Sequence, residues 1–429
     1  MHYFLYSILL TILLISALPF LLWKHVSTPK YRGTIKQRFG FSLPELPNNN
    51  KQRIWIHAVS VGETIAAKGI VEKLLVEFPN HEIFLSTVTK TGQQVAKEKL
   101  NGLTATFYLP IDFQWIVKRV VDHIQPQFFV VMETELWPNL FHALQQKKIP
   151  VFTINGRLSP GSFKQYYRFR FFMAKFLQPV ELFAMQSSMD AQRMAKIGGA
   201  SKRIINTGNL KYDQALKTAS LHEMEQLAEK IAKPSAPVWI AASTHPGEEE
   251  QVLAVYLRLL EKVPALKLIL TPRHPERSDK IAKLIKNTGC GYVSITKIQG
   301  EWSEPILLVD QVGWLTRLYG YAQVAYVGGS LIPHGGQNIL EPAAWSIPPV
   351  FGPHTFNFKD ATQQILEADG GVKVEDENSL YNTMLDLLTY EEKRTVMGQN
   401  AFKVVKANTG ALDRTVAAIV ETINRGQPL

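Results

Sequence analysis

The sequence contains a single cysteine, Cys290, among its 429 residues. One cysteine cannot form an intramolecular disulfide, and it excludes zinc sites that need several cysteine ligands. The chain also lacks the G-x-x-x-x-G-K-[ST] signature of P-loop ATPases, and no G-x-G-x-x-G follows its first predicted strand. These absences argue against a disulfide framework, a P-loop ATPase and a dinucleotide-dependent oxidoreductase.

Charged side chains are absent from the first 23 residues, where "YFLYSILLTILLISALPFLLW" is long enough to cross a bilayer of about 30 Å as a helix. Tyr3, Tyr6 and Trp23 lie towards the ends of this run, where interfacial aromatics are favoured. Five cations follow it: Lys24, Lys30, Arg32, Lys36 and Arg38. The positive-inside rule therefore predicts that the rest of the chain lies in the cytoplasm.

A cleaved signal peptide is the alternative for this segment, because "SALP" offers small residues near a cleavage position. The apolar run continues beyond "SALP", however, and no Lys or Arg precedes it. We therefore predict a retained single-pass anchor over residues 1–24, which holds the rest of the chain on the cytoplasmic side of a membrane.

The length of the chain limits the number of domains, and its net charge limits the classes of partner. A chain of 429 residues is long enough for two domains, since single cores stop growing at roughly 250–300 residues. The net charge of +10 suits nucleic acid, an anionic membrane surface or a phosphorylated substrate. No nucleic-acid recognition module is visible in the sequence, so we expect no nucleic-acid partner.

Short β-rich runs alternate with helical patterns throughout the remainder, which predicts α/β domains with parallel sheets covered on both faces. One series runs from "RIWIHAV" to "RIINTGN", and a second runs from "PVWIAAS" to "PPVFGP". A polar helical segment and "KPSAP" separate them. We predict two facing, doubly wound, Rossmann-like domains over residues 25–212 and 213–429, and the last helices of the second could pack back on the first.

Polar residues follow many of the apolar runs, at the edge where such sheets bind ligands. They are Glu63, Glu133, Glu135, Asn155, Arg157, Asn209, Lys211, Ser243, Thr244, Arg273, His274 and the loop "GGSLIPHGGQNILEP". A single polar residue in such a place carries little weight. The whole set predicts a ligand-binding cleft.

Glu63 has two interpretations. It follows Gly62 where an apolar strand gives way to a helix, so its carboxylate could simply complement the helix dipole. A group transfer to a hydroxyl also needs a base, and a carboxylate at the cleft edge is placed for that. Glu133, directly after "FFVVM", is either a structural partner for a turn or a carboxylate that holds a cation such as Lys211.

The second series predicts a nucleotide site. Gly328, Gly329, Gly335 and Gly336 flank a loop whose backbone N–H groups could approach an anion. Arg273 supplies a cation for a phosphodiester, and Glu341 could accept hydrogen bonds from ribose hydroxyls. A tight turn and a surface ion pair are the structural alternatives for the loop and for Arg273.

The segment "SFKQYYRFRFFMAKFLQP", residues 162–179, combines seven aromatics with Lys164, Arg168, Arg170 and Lys175. A helix that packs its aromatics into the core is one interpretation. Next to a membrane anchor, the same composition favours a helix that lies in the interface and contacts anionic lipid.

Eight stretches together resemble one family, the 3-deoxy-D-manno-octulosonic acid (Kdo) transferases of lipid A and lipopolysaccharide assembly. They are "HAVSVGE", "METELWPN", "RLS", "TGNLKYD", "TPRHPER", "VGGSL", "GGQNILEP" and "GPHTFNF". The resemblance covers nearly the whole chain and implies a GT-B glycosyltransferase. Such an enzyme moves Kdo from CMP-Kdo to a lipid A precursor, lipid IVA, with inversion and without a metal or another cofactor.

The resemblance also implies roles for residues. Glu63 would be the catalytic base, and Glu133 and Lys211 would support the transition state. The residues that would hold CMP are Pro272, Arg273, Gly313, Trp314, Leu315, Asn338, Ile339, Leu340 and Glu341. Arg157, Lys164, Arg168 and Arg170 would face the acceptor or the membrane.

Two positions depart from the family pattern. Family members often have Gly-Glu-Leu where this chain has Gly313-Trp314-Leu315, and often have Arg where it has His334. Two other functions stay open at this point: a GT-B enzyme that uses a UDP-sugar, and a membrane-tethered protein that binds lipid or sugar nucleotide without turnover.

Overall fold

The computed structural model describes residues 2–27, 34–219 and 221–426. The chain divides into two compact units: Met1–Leu210 with Gly410–Leu429, and Lys211–Thr409. The predicted domain boundary at residue 212 lies two residues from the observed one. Residues after Thr409 belong to the first unit, because the last helix packs on the first sheet.

The first unit contains a parallel sheet in which β-branched and aromatic residues dominate the central strands. Its strands are β1 (Gln52–His57), β2 (His81–Thr87), β3 (Leu103–Tyr108), β4 (Phe128–Met132), β5 (Val151–Gly156), β6 (Val180–Met185) and β7 (Ile204–Asn206). Their order across the sheet is β3-β2-β1-β4-β5-β6-β7. Each of these strands overlaps a run that the sequence predicts as a strand.

Helices cover both faces of this sheet. They are α1 (His2–Ser27), α2 (Ile35–Arg38), α3 (Val61–Glu77), α4 (Lys90–Lys99), α5 (Gln114–Ile124), α6 (Pro138–Gln146), α7 (Pro160–Arg168), α8 (Arg170–Leu177) and α9 (Ser188–Lys196). Alternate strand residues point to opposite faces. Ile54 and Ile56 of β1 therefore join a core with α3, whereas Trp55 joins a core with α5, α6 and α8.

The second unit repeats this architecture. Its strands are β8 (Val238–Thr244), β9 (Lys267–Pro272), β10 (Tyr292–Ser294), β11 (Ile306–Leu308), β12 (Val324–Val327), β13 (Pro349–Phe351) and β14 (Val372–Lys373), in the order β10-β11-β9-β8-β12-β13-β14. The two outermost strands, β10 and β14, are three and two residues long and were not predicted.

Helices again lie on both faces, and the final helix returns to the first unit. They are α10 (Leu210–Thr218), α11 (Leu221–Lys230), α12 (Glu248–Leu260), α13 (Ser278–Asn287), α14 (Leu315–Leu318), α15 (Leu340–Ala344), α16 (Lys359–Glu367), α17 (Glu377–Thr389), α18 (Glu391–Ala407) and α19 (Ala411–Gly426). Ala411, Val416 and Ile419 of α19 are buried in the core that α3 also contacts.

The order of the strands fixes where ligands bind. In the first sheet the chain runs outward from β1 to β3 and then returns to place β4 on the other side of β1. In the second sheet β8 and β12 have the same relation. Ligands of doubly wound sheets bind beyond the carboxyl ends of the strands that flank this switch point. Ligand-binding residues are therefore expected in the segments that follow β1, β4, β8 and β12.

The N-terminal segment forms helix α1, as its composition predicts. Among the residues that the structure describes, no helix is long and apolar enough to cross a membrane. The membrane-spanning anchor therefore stays a prediction. Three of the five cations that follow the apolar run, Lys24, Lys30 and Arg32, have side chains outside the described part.

Candidate active site

Glu63 lies in the first turn of α3, just beyond the carboxyl end of β1. The Ser60 hydroxyl caps this helix: it accepts the Glu63 amide at 3.5 Å and donates to Glu63 Oε1 at 3.0 Å. Glu63 Oε2 accepts the Val59 amide at 2.8 Å. These reciprocal bonds resemble a capping box. The helix-start interpretation of Glu63 is therefore correct for its local geometry.

The acidic loop, residues 133–137, joins β4 to α6 on the other side of the same switch point. Glu133 has a φ of +57°, which non-glycine residues rarely adopt. Its amide donates to the Ile154 carbonyl at 2.8 Å. The Thr134 hydroxyl donates to the Arg157 carbonyl at 2.6 Å and accepts the Arg157 amide at 2.9 Å. Strained backbone that is held in this way is common at functional sites.

The environment of Glu63 changes its proton affinity. Burial, which leaves 9% of the residue exposed, raises the pKa of Glu63 to about 7. The charges of Glu133 and Glu135 act in the same direction, whereas the Val59 amide and the Ser60 hydroxyl oppose them. A carboxylate with a pKa near the working pH is suited to take a proton in a transition state. Glu63 is thus part of a helix cap, and its pKa is in the range that suits a general base.

Glu135 is a third carboxylate in this group, and no role was predicted for it. Burial and, after it, the charge of Glu133 raise the pKa of Glu135. Its spacing from Glu133 in "METEL" is the signal that could have suggested it. Within the described ranges, no group of three or more His, Cys, Asp or Glu residues could hold a metal ion.

The four basic residues predicted to face the acceptor or the membrane separate into two sets. Arg157 contacts the acidic loop through its two backbone hydrogen bonds with Thr134. Lys164 and Arg168 are exposed on α7, and Arg170 is exposed at the start of α8. The structure thus ties the Arg157 backbone to the acidic loop and leaves the other three residues on the surface.

Lys211 belongs to the second unit, whereas Glu63 and Glu133 belong to the first. It is the second residue of α10, and its Nζ lies 4.7 Å from the centroid of the Phe358 ring. A pairing of Glu133 with Lys211 stays a prediction.

The predicted nucleotide residues in the second unit follow adjacent strands. Pro272 ends β9 and is buried, and Arg273 directly after it is exposed. The Arg273 amide donates to the Thr244 carbonyl at 2.9 Å, which ties the end of β9 to the end of β8. Burial raises the pKa of Glu341 and lowers that of His245. The Arg273 charge opposes the first shift and adds to the second, so Arg273 lies near the switch point.

The segment Asn338, Ile339, Leu340 and Glu341 leads into the short helix α15. Asn338 Oδ1 accepts the Leu340 amide at 3.2 Å, and its Nδ2 donates to Glu341 Oε1 at 3.0 Å. Burial raises the pKa of Glu341 to about 7, against the opposing effects of Asn338 and Arg273. The Glu341 carboxylate is thus oriented by Asn338 and can accept hydrogen bonds from a sugar.

The turn at Gly313, Trp314 and Leu315 precedes α14, and Gly313 has a φ of +96°. The Trp314 indole N–H donates to Gln311 Oε1 at 3.1 Å. The cations of Lys230 and Arg317 lie 5.2 and 5.3 Å from the Trp314 ring centroid. Where family members often have a glutamate carboxylate, this chain has the Trp314 indole ring, and the face of that ring attracts cations.

The glycine loop corrects one prediction. Backbone amides of this loop were expected to approach an anionic ligand, but those of Gly329, Ser330 and Leu331 donate to Glu248 at 2.7, 3.0 and 3.1 Å. Glu248 is fully buried and also accepts the Tyr326 hydroxyl at 2.7 Å. A carboxylate of the protein itself therefore binds the first part of the loop, in place of an anionic ligand. These amides are therefore not available to the nucleotide, and Glu248 instead fixes the loop.

Three histidines meet at this switch point. The rings of His245 and His334 have centroids 4.0 Å apart, and the ring of His274 lies 6.0 Å from that of His245. Burial, and after it the charge of His334, lower the pKa of His245 to about 4, so His245 is neutral at pH 7. His274 and His334 are separate features of the sequence, and no local pattern predicts that they meet His245.

Comparison with known proteins decides the family. Residues 33–214 match the family model described as 3-deoxy-D-manno-octulosonic-acid transferase (kdotransferase). The 3-deoxy-D-manno-octulosonic acid transferase of Haemophilus influenzae is 36% identical over 407 residues, which are 93% of this chain and 94% of that protein. The chain belongs to the Kdo transferase family. A second relative, from Bordetella pertussis, is 31% identical over 89% of this chain and 90% of its own length.

Solved structures agree on the fold of this Kdo transferase family member. UDP-GlcNAc 2-epimerase from Neisseria meningitidis, bound to UDP-GlcNAc, has a TM-score of 0.59 at 13% identity and covers 86% of this chain. All of the epimerase chain is covered. At this identity the likeness shows the fold alone, a two-domain GT-B-like α/β arrangement with parallel sheets. Family membership makes the protein a glycosyltransferase.

Proposed function

We propose that this Kdo transferase family member transfers Kdo from CMP-Kdo to a lipid A precursor during lipopolysaccharide core assembly. Membership of the family, over almost the full length of the chain, is the observation that carries this proposal. The site supports it because a buried carboxylate with a pKa of about 7 lies at the switch point of the first sheet.

Glu63 is the base of the proposed reaction. An acceptor hydroxyl of the lipid gives its proton to the ionised Glu63 carboxylate while its oxygen forms a bond to the anomeric carbon of Kdo. The bond between that carbon and the phosphate oxygen breaks on the opposite face, so CMP leaves and the configuration inverts. Burial and, to a smaller extent, the charge of Glu133 raise the pKa of Glu63, and Lys211 would stabilise the charge that develops on the phosphate.

The second unit is the proposed site of CMP. Arg273 would contact the phosphate, since an exposed guanidinium at the end of β9 can form two parallel hydrogen bonds to it. Glu341 would accept hydrogen bonds from the ribose. The cytosine ring of CMP would be surrounded by Pro272, Gly313, Trp314 and Leu315. Glu341 would be held in place by Asn338, Ile339 and Leu340.

The inner membrane is the proposed location, with the catalytic units in the cytoplasm and lipid IVA as a membrane-borne acceptor. Helix α1 exposes large apolar side chains, and its first turn adjoins α8 through His2 and Phe172, whose ring centroids are 5.5 Å apart. Exposed large apolar residues of the two helices are Phe4, Leu5, Ile8, Leu9, Ile12, Leu13, Ile15, Phe171 and Phe172. Anionic lipid would contact the nearby cations Lys164, Arg168 and Arg170.

The mode of membrane attachment has its own test. Deletion of residues 1–24 should weaken membrane association without abolishing it, because α8 keeps exposed aromatics and cations. Extraction of full-length protein with alkaline carbonate distinguishes a spanning helix, which stays in the pellet, from an interfacial helix, which is released. Recovery of intact protein in the soluble fraction at physiological salt would contradict both.

Competition between nucleotides tests the donor. In a transfer assay with CMP-Kdo and lipid IVA, added CMP should inhibit strongly, and UDP at the same concentration should not. Stronger inhibition by UDP would indicate a UDP-sugar enzyme with the same fold. Binding of CMP without any release of nucleotide in the presence of acceptor would indicate a binding protein.

A further inference from the structure

Glu249 is a fully buried carboxylate in the first turn of α12, directly after Glu248. The two neighbouring glutamates bind different segments of the second unit. Glu248 binds the glycine loop after β12, whereas Glu249 binds Arg277, four residues beyond Arg273. The Arg277 Nη1 and Nη2 atoms donate to Glu249 Oε1 and Oε2 at 2.8 and 3.2 Å. These are two parallel hydrogen bonds, the strongest arrangement that an arginine and a carboxylate form.

Thr244, the last residue of β8, links this ion pair to Arg273. The Thr244 hydroxyl donates to Glu249 Oε1 at 3.1 Å, and the Thr244 carbonyl accepts the Arg273 amide at 2.9 Å. Thr244 is itself fully buried. The start of α12 is therefore connected to the carboxyl ends of both β8 and β9.

The arginine segment, residues 273–277, is thus held at both of its ends. One anchor is the Arg273 amide, and the other is the Arg277 side chain. Between them, the Arg277 amide donates to the His274 carbonyl at 3.0 Å and closes a single 3₁₀ turn. Arg273 and His274 are exposed. A short segment that is fixed at both ends presents these two side chains at one place on the ligand edge.

Burial distinguishes this ion pair from the surface pairs of the chain. None of the Glu249 side chain is exposed, and 21% of the Arg277 side chain is. A buried charge that loses its partner is costly, because neither water nor another group replaces the lost hydrogen bonds. Conformations of the arginine segment that withdraw Arg277 from Glu249 are therefore disfavoured.

We infer that Glu249 is a positioning residue: through Arg277 and Thr244 it holds the arginine segment, and so places the Arg273 guanidinium where it meets the phosphate of CMP. Glu249 acts through these residues, since its own side chain is inaccessible to a ligand. This inference rests on the proposed function for the phosphate contact of Arg273. A hydrogen-exchange measurement tests the positioning itself without any ligand.

The test compares calorimetric titrations with CMP and with cytidine, which lacks the phosphate. Wild type should bind CMP about 10- to 150-fold more tightly than cytidine, the range expected for a hydrogen bond to a charged group. In Glu249→Gln the side-chain NH₂ group faces a guanidinium N–H, so one of the two parallel bonds is lost. Affinity for CMP should fall about 5- to 50-fold, a large part of that range. Affinity for cytidine should stay within about twofold of wild type.

Two other variants complete the comparison. Arg277→Lys keeps the charge but cannot form two parallel bonds, so it should weaken CMP binding about 3- to 10-fold, and it replaces Glu249→Gln if that variant does not fold. The control is Arg258→Gln, which removes another ion pair of α12. Arg258 lies 3.7 Å from Glu377, and their side chains are 40% and 39% exposed. Both affinities of this control should stay within about twofold of wild type, because exposed ion pairs contribute little.

Two further measurements separate positioning from general loosening. In a protein that already carries Arg273→Ala, Glu249→Gln should weaken CMP binding by less than about twofold, as expected for residues that act through one contact. In the ligand-free protein, hydrogen exchange of the peptide over residues 270–280 should be faster in Glu249→Gln than in wild type or Arg258→Gln.

Each outcome has a distinct meaning. CMP affinity that stays within twofold of wild type in both Glu249→Gln and Arg277→Lys would overturn the inference, and so would unchanged exchange over residues 270–280. Equal weakening of CMP and cytidine would overturn it as well, because it would indicate a general loss of structure. Faster exchange in a protein whose wild type binds CMP no more tightly than cytidine would uphold the positioning of the arginine segment and count against the proposed function.

Discussion

Replacement of Glu63 by glutamine separates its two roles, because the structure lets glutamine keep one of them. The glutamine oxygen can accept the Val59 amide, and its NH₂ group can donate to the Ser60 hydroxyl oxygen. Helix capping should therefore survive. A glutamine cannot take a proton from the acceptor hydroxyl, so turnover should fall by about 10²- to 10⁴-fold, the usual contribution of a general base.

The free energy of unfolding should change with pH in a way that only a buried carboxyl produces. The folded-state pKa of Glu63, about 7, is above the unfolded value of about 4.3. Its contribution to stability is therefore complete below about pH 4 and is lost as pH rises through about 7. At 1.36 kcal/mol per pKa unit, the loss in wild type amounts to about 4 kcal/mol. Glutamine does not titrate, so Glu63→Gln should gain up to that amount relative to wild type between pH 4 and pH 8.

Urea unfolding at several pH values, together with turnover at each, measures both effects. Glu72→Gln on the same helix is the control, since 39% of the Glu72 side chain is exposed and neither quantity should change. The reasoning about Glu63 is wrong if Glu63→Gln keeps more than about a tenth of wild-type turnover, well short of a general-base loss. A stability difference that is independent of pH would show that Glu63 is not a strained, buried carboxyl.

Three other changes should have distinct effects. Glu133→Gln should move the acid limb of the pH profile of kcat/KM to lower pH, since the Glu133 charge raises the pKa of Glu63; an unmoved limb would mean that the two groups do not interact. Arg273→Ala should weaken CMP binding by about 1.5–3 kcal/mol in calorimetry, the scale of a hydrogen bond to a charged group. Unchanged affinity would make Arg273 a surface residue. Glu248→Ala should lower stability in urea by at least about 3 kcal/mol, because three buried amides lose their acceptor. A smaller loss would mean that the loop finds another partner.

The sequence alone was enough to predict most strands of the two sheets and the sheet edge at which the candidate site lies. Runs such as "FFVVM" identify buried strands because β-branched and aromatic residues fit a sheet that is covered on both faces. The order of the strands, which the structure supplies, then brings Glu63 and Glu133 to one switch point. The strands β10 and β14 escaped prediction because two or three residues carry no measurable periodicity.

Other features depend on contacts between distant parts of the chain, which no local pattern specifies. Glu248 stands at the start of a helix, where an acidic residue is common, but its partners are three amides about 80 residues later. The same limit applies to buried Asp112, between β3 and α5, whose carboxylate accepts the amides of Asn139 and Leu140 at the start of α6. In both cases a buried polar group needed a partner, and only the folded chain shows which one it found.

Mass analysis of the lipid product is the most direct test of the central claim. Purified full-length protein is incubated with CMP-Kdo and lipid IVA, in parallel with the Glu63→Gln variant. Wild type should convert lipid IVA to a product heavier by a whole number of Kdo residues and should release CMP in equal amount, whereas the variant should leave nearly all of the lipid unchanged. Unmodified lipid IVA after incubation with folded wild-type protein that binds CMP would contradict the account.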